Sequence, residues 1–197
     1  MRILTLVALS LFSISCTISP IRVSPISTYT LAVNTDKIVH TKHAQKVLLV
    51  TAPTAAPGYQ SANMIYTTRA FELNSFAQNR WTAPPAAMLA PLLAQKLQAS
   101  GCLHAVVSPP FAGAGVDLIL DTQLLTLQQE FIGNTNQVRL AMQLTLVDNL
   151  TRQILVSKTV ATIVPADANT PYGGVIAANK ATEVVLNKIK QIICQLK

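Results

Sequence analysis

Residues 80–103 read RWTAPPAAMLAPLLAQKLQASGCL, and the class of the fold turns on them. Pro84 and Pro85 suit the first turn of a helix, where a missing N–H has no intrahelical partner to lose. Thr82 is placed as the N-cap, and Gly101 supplies the left-handed position that closes a helix. Met88, Leu89, Leu92, Leu93 and Leu97 recur at helical spacing, so the stretch predicts an amphipathic helix packed on a sheet. Pro91 falls near the first turns and bends this helix without ending it.

Outward from the helix, the pattern is that of strands. TYTLAV (28–33) alternates, and KVLLVTA (46–52) is a continuous apolar run, as a buried strand requires. ANMIYTTRAFELNSFA (62–77) reads as two short strands or a bent one, with Met64, Tyr66, Phe71, Leu73 and Phe76 turned inward. Downstream, CLHAVV is a short strand and SPPFAGAG a loop. VDLILDTQLLTLQQEFI (116–132) begins with Val116, Leu118 and Leu120 on one face. Its apolar set then shifts to Leu125 and Leu127, which predicts a bulge near Leu124. QVRLAMQLTLVD (137–148) puts Val138, Leu140, Met142, Leu144 and Leu146 on one face, and 152–164 returns as its hairpin partner after a turn at Asp148-Asn149. The chain from Gly173 closes as a second helix, with Val175, Ala178, Thr182, Val185, Ile189, Ile192 and Leu196 as its stripe. No repeat and no second domain is visible. The expectation is an α/β (α+β) fold: one domain over 29–197, with a mostly antiparallel or mixed sheet packed against two main helices.

The first residues have another purpose. MRILTLVALSLFSISC combines Arg2, a short apolar run over 3–14, and small residues before Cys16. A spanning helix needs about 20 apolar residues, so this run is too short to be a permanent anchor and reads as an export signal. Residues 1–15 are read as a lipoprotein signal peptide, with Cys16 as the site of lipid attachment; Ser15 suits the small position, while Ser13 replaces the usual large aliphatic residue. The competing reading is an ordinary signal with an incidental cysteine. Residues 16–28 form the acylated N-terminus and a tether, carrying Ser, Thr and two prolines without periodicity. Since Thr17 rather than Asp follows the cysteine, the expected location is the outer membrane, facing the periplasm.

Composition narrows the functions. Half of the residues are apolar and 12% are charged, which implies that some apolar surface meets a partner or lipid. The chain has a net charge of +7, but its cations are scattered: Lys37, Lys42 and Lys46 form one loose cluster and Lys188, Lys190 and Lys197 another. No basic block is interleaved with aromatics, so nucleic acid is not an expected partner; solvation and attraction to anionic lipid explain the charge. The 8 acidic residues are spread thinly. Asp117 and Asp121 share a strand face that is read as solvent-facing. His40 and His43 lie in a loop, and His104 is read as a packed residue. There is no HExxH, CxxC, GxSxG or phosphate-binding glycine loop, so no catalytic, metal or cofactor-binding residues are assigned. For Cys102 and Cys194 two buried apolar thiols are the favoured reading and a disulfide the alternative, since spacing does not show whether their Cα atoms come within bridging distance.

Residues 80–101, with the spacing RW-x-x-PP-x-x-ML, resemble the characteristic segment of the ABC-type transport auxiliary lipoprotein family, the family of paraquat-inducible protein C. YTLAV (29–33), VLLVTAP (47–53), MIYTTRAFELNSFAQNRW (64–81), VDLILDTQLLTLQQEF (116–131), VDNLTRQIL (147–155) and GGVIAANKA (173–181) follow in that family's order. The resemblance implies a non-enzymatic, periplasm-facing subunit that works beside an inner-membrane ABC transporter and its MCE-domain protein, which move lipid between membranes. Within the motif, Arg80, Trp81, Pro84, Pro85 and Met88 are read as structural or partner-contacting. The alternatives are a stand-alone outer-membrane assembly or structural lipoprotein and, more remotely, a periplasmic hydrolase. The expected partners are the MCE-domain protein, a membrane held through the N-terminal lipid, and a second copy of the chain joined through strand edges.

Overall fold

A computed structural model describes residues 25–34, 44–111 and 113–195. Cys16, the signal segment, His40 and His43 lie outside the described residues. Nine strands and two helices follow in the order β1 (Ser27–Tyr29), β2 (Val47–Val50), β3 (Thr54–Ala55), β4 (Asn63–Thr67), β5 (Asn74–Trp81), α1 (Pro85–Ala99), β6 (Ala105–Val107), β7 (Leu118–Glu130), β8 (Gln137–Asp148), β9 (Ile154–Pro165) and α2 (Pro171–Gln195). They build a single domain with one mixed sheet.

The spine of that sheet is the β7–β8–β9 antiparallel meander. Along the other edge of β7, three short strands line up end to end and parallel to it. β2 pairs at Leu118–Leu120, β3 at Gln123–Leu124, and β4 at Gln128–Glu130. Beyond β2 lies β6, and beyond β4 lie β5 and then β1. One long strand therefore sets the register of three pieces separated by loops.

The helices cover one face. Val138, Leu140, Met142, Leu144 and Leu146 of β8 are buried as alternation predicts, against Leu89, Leu93 and Leu97 of α1 and Ala181, Val185, Leu186 and Ile189 of α2. The bulge in β7 is at Leu124–Thr126. It turns Leu124 and Leu127 inward, while Leu125, expected to point in, is only half-buried. Downstream of the bulge the faces exchange, so Gln129, which would be outward in an unbroken strand, is buried under α2.

Other expectations are corrected. Phe71 and Leu73 are exposed on the β4–β5 turn, where a hairpin tip reaches past the core, Leu73 keeping one methyl against Gly58. His104 is also exposed, because residues 101–104 turn before β6 begins. Thr82 does not cap α1; Pro84 occupies that position, without a side-chain hydrogen bond, and the helix runs through Pro91. Gly101 has φ +70°, the left-handed conformation expected of it. Helix α2 starts earlier than its apolar stripe, at Pro171, where the Thr170 hydroxyl accepts the Gly173 N–H at 3.0 Å. Cys102 and Cys194 form a disulfide with Cα atoms 5.6 Å apart, joining the turn after α1 to the end of α2. No helix among the described residues is long and apolar enough to cross a membrane.

Candidate functional site

The two motif segments, RW-x-x-PP-x-x-ML and GGVIAANKA, meet around the strand by which the chain enters the domain. Strand β1 lies parallel to β5, with Tyr29 opposite Trp81. The Thr82 N–H donates to the Tyr29 carbonyl at 2.7 Å, and the Trp81 N–H to the Ala62 carbonyl at 2.8 Å. Trp81 is therefore held by its own backbone on one side and buried in the core on the other. From Tyr29 the chain crosses to α2. There Asn179 Oδ1 accepts the Ala32 N–H at 2.5 Å, and Asn179 Nδ2 donates to the Val175 carbonyl at 2.9 Å. Leu31 is buried between these points, and the rings of Tyr29 and Tyr172 stand 5.9 Å apart.

Each motif residue has a definite place. Pro85 and Met88 are buried, whereas Arg80 and Pro84 are exposed. The Thr82 hydroxyl lies 3.5 Å from Met88 Sδ and that of Thr30 3.8 Å, contacts that seat the thioether between the entry strand and the start of α1. Asn179 was not singled out by the sequence reading; its only signal was its position inside GGVIAANKA.

At its N-terminus α2 comes unusually close to its surroundings. A Cβ on Gly173 would lie 2.3 Å from the Ala168 carbonyl oxygen, and one on Gly174 would lie 2.1 Å from Gln129 Oε1. Gln129 is held there because its Nε2 donates to Asn136 Oδ1 at 2.8 Å and to the Thr170 carbonyl at 3.3 Å. The void beside Gln129, Trp81 and Met64 measures about 10 Å³, room for no more than one water molecule. It is a packing defect and does not form a ligand chamber.

Two charged contacts accompany this seam. Lys96 of α1 is buried and donates to Glu183 of α2 at 2.6 Å, tying the helices together. On the opposite face of β7, buried Glu130 receives Arg139 Nε at 2.6 Å, Gln137 Nε2 at 2.8 Å and Gln128 Nε2 at 3.1 Å. Burial opposes the charge on Glu130, but these hydrogen bonds, led by Arg139, outweigh it and hold the carboxyl below the ordinary carboxylate range. Tyr59 donates to Gln128 at the edge of this network, and burial raises its phenol above the usual value.

Among the described residues no three His, Cys, Asp or Glu side chains gather as metal ligands. Asp117 and Asp121 are both exposed, and each accepts one hydrogen bond, from the Val47 N–H and the Thr51 hydroxyl, both at 2.7 Å. They fasten β2 to β7.

The fold and this seam define a single-domain scaffold in which the two motif segments pack around the entry strand. The chain belongs to the family of ABC-type transport auxiliary lipoprotein components, whose family model matches residues 29–190. Among solved structures, the fold is similar to that of protein XCC0632 from Xanthomonas campestris, of family DUF330. The two are 18% identical with a TM-score of 0.72, and the match covers 86% of this chain and 96% of that one. An uncharacterized protein matches with a TM-score of 0.69 at 12% identity, covering 86% of this chain and 99% of its own. The hypothetical protein CT253 from Chlamydia trachomatis matches with a TM-score of 0.51 at 8% identity, covering 77% of this chain and 99% of its own. No curated protein matches the sequence.

Proposed function

We propose that this chain is a lipid-anchored, non-enzymatic subunit of an ABC/MCE-type system that moves lipid between membranes. It is held on the periplasmic face of the outer membrane through Cys16 and acts by protein–protein contact. The family match over residues 29–190 carries the reading. The chemistry of the domain supports it: the largest investment of motif residues fixes the entry strand, the segment that follows the tether from Cys16. A domain that works by contact at the end of a tether needs that junction to be firm. The outer edge of β9 could serve contact between copies, since among the described residues β9 pairs only with β8.

The test is affinity purification of the full-length lipoprotein from solubilised membranes, read by mass spectrometry. Co-purification of an MCE-domain protein together with an ABC permease supports the reading. Its repeated absence from preparations in which the bait is acylated overturns the transport role. Fatty-acid labelling of wild type and Cys16→Ala checks the anchor, and label retained in the variant refutes attachment at Cys16. Recovery of the acylated protein mainly with inner membranes refutes the outer-membrane location.

A further inference from the structure

Two apolar tips stand at opposite ends of the sheet. At one end, the β4–β5 turn exposes Phe71 at 109% and Leu73 at 50%, and the β7–β8 turn exposes Ile132 at 43%. These turns are neighbours, because the Phe131 N–H donates to the Thr67 carbonyl at 2.8 Å. At the other end, the β8–β9 turn exposes Leu150 at 91% and Ile154 at 65%. The 12 residues of β8 separate the two ends by roughly 40 Å at about 3.4 Å per residue.

Phe71 is the unusual member. Its φ is +65°, a left-handed conformation that a bulky side chain adopts only under constraint. The constraint is visible: Arg69 Nε and Glu72 Oε2 pair at 2.7 Å across the turn, and the Thr67 hydroxyl donates to the Arg69 carbonyl at 2.5 Å. The turn thus holds a phenyl ring wholly in water, where it gains nothing from its own fold, and strain of this kind is a pointer to function. The adjacent charges cancel, so an occupant of this tip is selected for apolarity and not for charge.

The direction of the chain says what that occupant is. Strand β1 is parallel to β5, with Ser27 opposite Asn79, and β5 begins at Asn74, beside the Phe71 turn. Pro25 and Ile26, the described residues before Ser27, therefore run toward the Phe71 end, and Ile26 is 51% exposed along that course. Ser27 lies eleven residue steps from Cys16, a reach of at most roughly 36 Å at about 3.3 Å per residue.

We propose that Phe71, with Leu73 and Ile132 beside it, is the face that the domain lays on the bilayer holding its lipid. Phe71 enters the boundary between headgroups and acyl chains, and the Leu150 tip points away from the membrane. This rests on the lipid-anchor reading above and adds an orientation to it.

The acylated full-length protein, reconstituted in phosphatidylcholine vesicles with brominated acyl chains, provides the test. Trp81 is the only tryptophan and is buried, so wild type gives the fluorescence baseline. Phe71→Trp is expected to add blue-shifted emission that brominated chains quench at least twofold more than in wild type. Leu150→Trp is expected to add emission that the lipid leaves unquenched and aqueous iodide quenches. If the protein floats with the vesicles but Trp at 71 is quenched only by iodide, or Trp at 150 is the one quenched by lipid, the orientation is overturned and the anchor stands. If the protein does not float with the vesicles, the anchor fails and the orientation falls with it.

Discussion

Gln129 Oε1 occupies the space in which a side chain at position 174 would begin: a Cβ on Gly174 would lie 2.1 Å from it. The contact joins the first turn of α2 to the strand that sets the register of the sheet. Since Oε1 is buried without a hydrogen-bond partner, the close Cα–H of Gly174 is the donor that the packing offers it.

Gly174→Ala tests this relationship. Helix propensity favours Ala over Gly by about 1 kcal/mol, whereas forcing a methyl group into a filled site costs about 1–3 kcal/mol. Here the obstacle is an amide pinned by Asn136 and Thr170, so overpacking wins. The variant is expected to be less stable by about 1–2 kcal/mol in urea unfolding. Adding Gln129→Ala should return part of the loss, and a double-mutant cycle with no coupling between the two positions would refute the account.

The Cys102–Cys194 disulfide spans 92 residues. In the chain-entropy picture, a closed loop of about 100 residues contributes about 4.7 kcal/mol, and measured losses are typically about 2–5 kcal/mol. The double variant Cys102→Ser, Cys194→Ser is expected to be less stable by an amount in this range, read from urea unfolding. Wild type in reductant should match it. Equal midpoints for oxidised and reduced wild type would show that the bridge contributes nothing.

Glu130 makes stability depend on pH. Its folded carboxyl is depressed, by the hydrogen bonds of Arg139, Gln137 and Gln128 acting against burial. The unfolded chain therefore binds a proton more readily, and this contribution is complete above the unfolded value near about 4.3. It is lost as pH falls through the lower, folded value. Glu130→Gln is expected to cost about 1–2 kcal/mol at pH 7, given the charged hydrogen bonds removed. The gap to wild type should narrow below about pH 4, whereas a gap independent of pH would exclude Glu130 as its source.

How much of this was legible in the sequence depends on the range of the forces involved. The strict alternation of β8 and the proline-led start of α1 are local patterns, and both appear where the spacing put them. Near the β7 bulge the pattern located the irregularity but chose Leu125 over Leu124, because a shift of one residue exchanges the faces. Phe71 and Leu73 are apolar and so read as core, and nothing local in the sequence marks them as a hairpin tip. The disulfide and the Lys96–Glu183 pair join residues 92 and 87 positions apart, and such distances exist only after folding. The Thr170 cap was readable, since Thr-Pro at a helix start is a local signature.

Asn179 is the residue of α2 that grips the entry strand, accepting the Ala32 N–H while donating to Val175. If its task is local, Asn179→Ala should detach residues 30–34 without dissolving the core. Loss of one hydrogen bond to a backbone N–H costs about 0.5–1.5 kcal/mol, small beside the burial of Leu31 and Trp81. The expected result is a modest fall in global stability and a roughly tenfold faster amide exchange at Ala32, corresponding to about 1.4 kcal/mol of local protection. Exchange in β8 should change only as much as global stability does. Asn179→Asp keeps the acceptor and should restore slow exchange at Ala32. If Asp fails to do so while the fold is intact, the hydrogen bond is not what holds the strand.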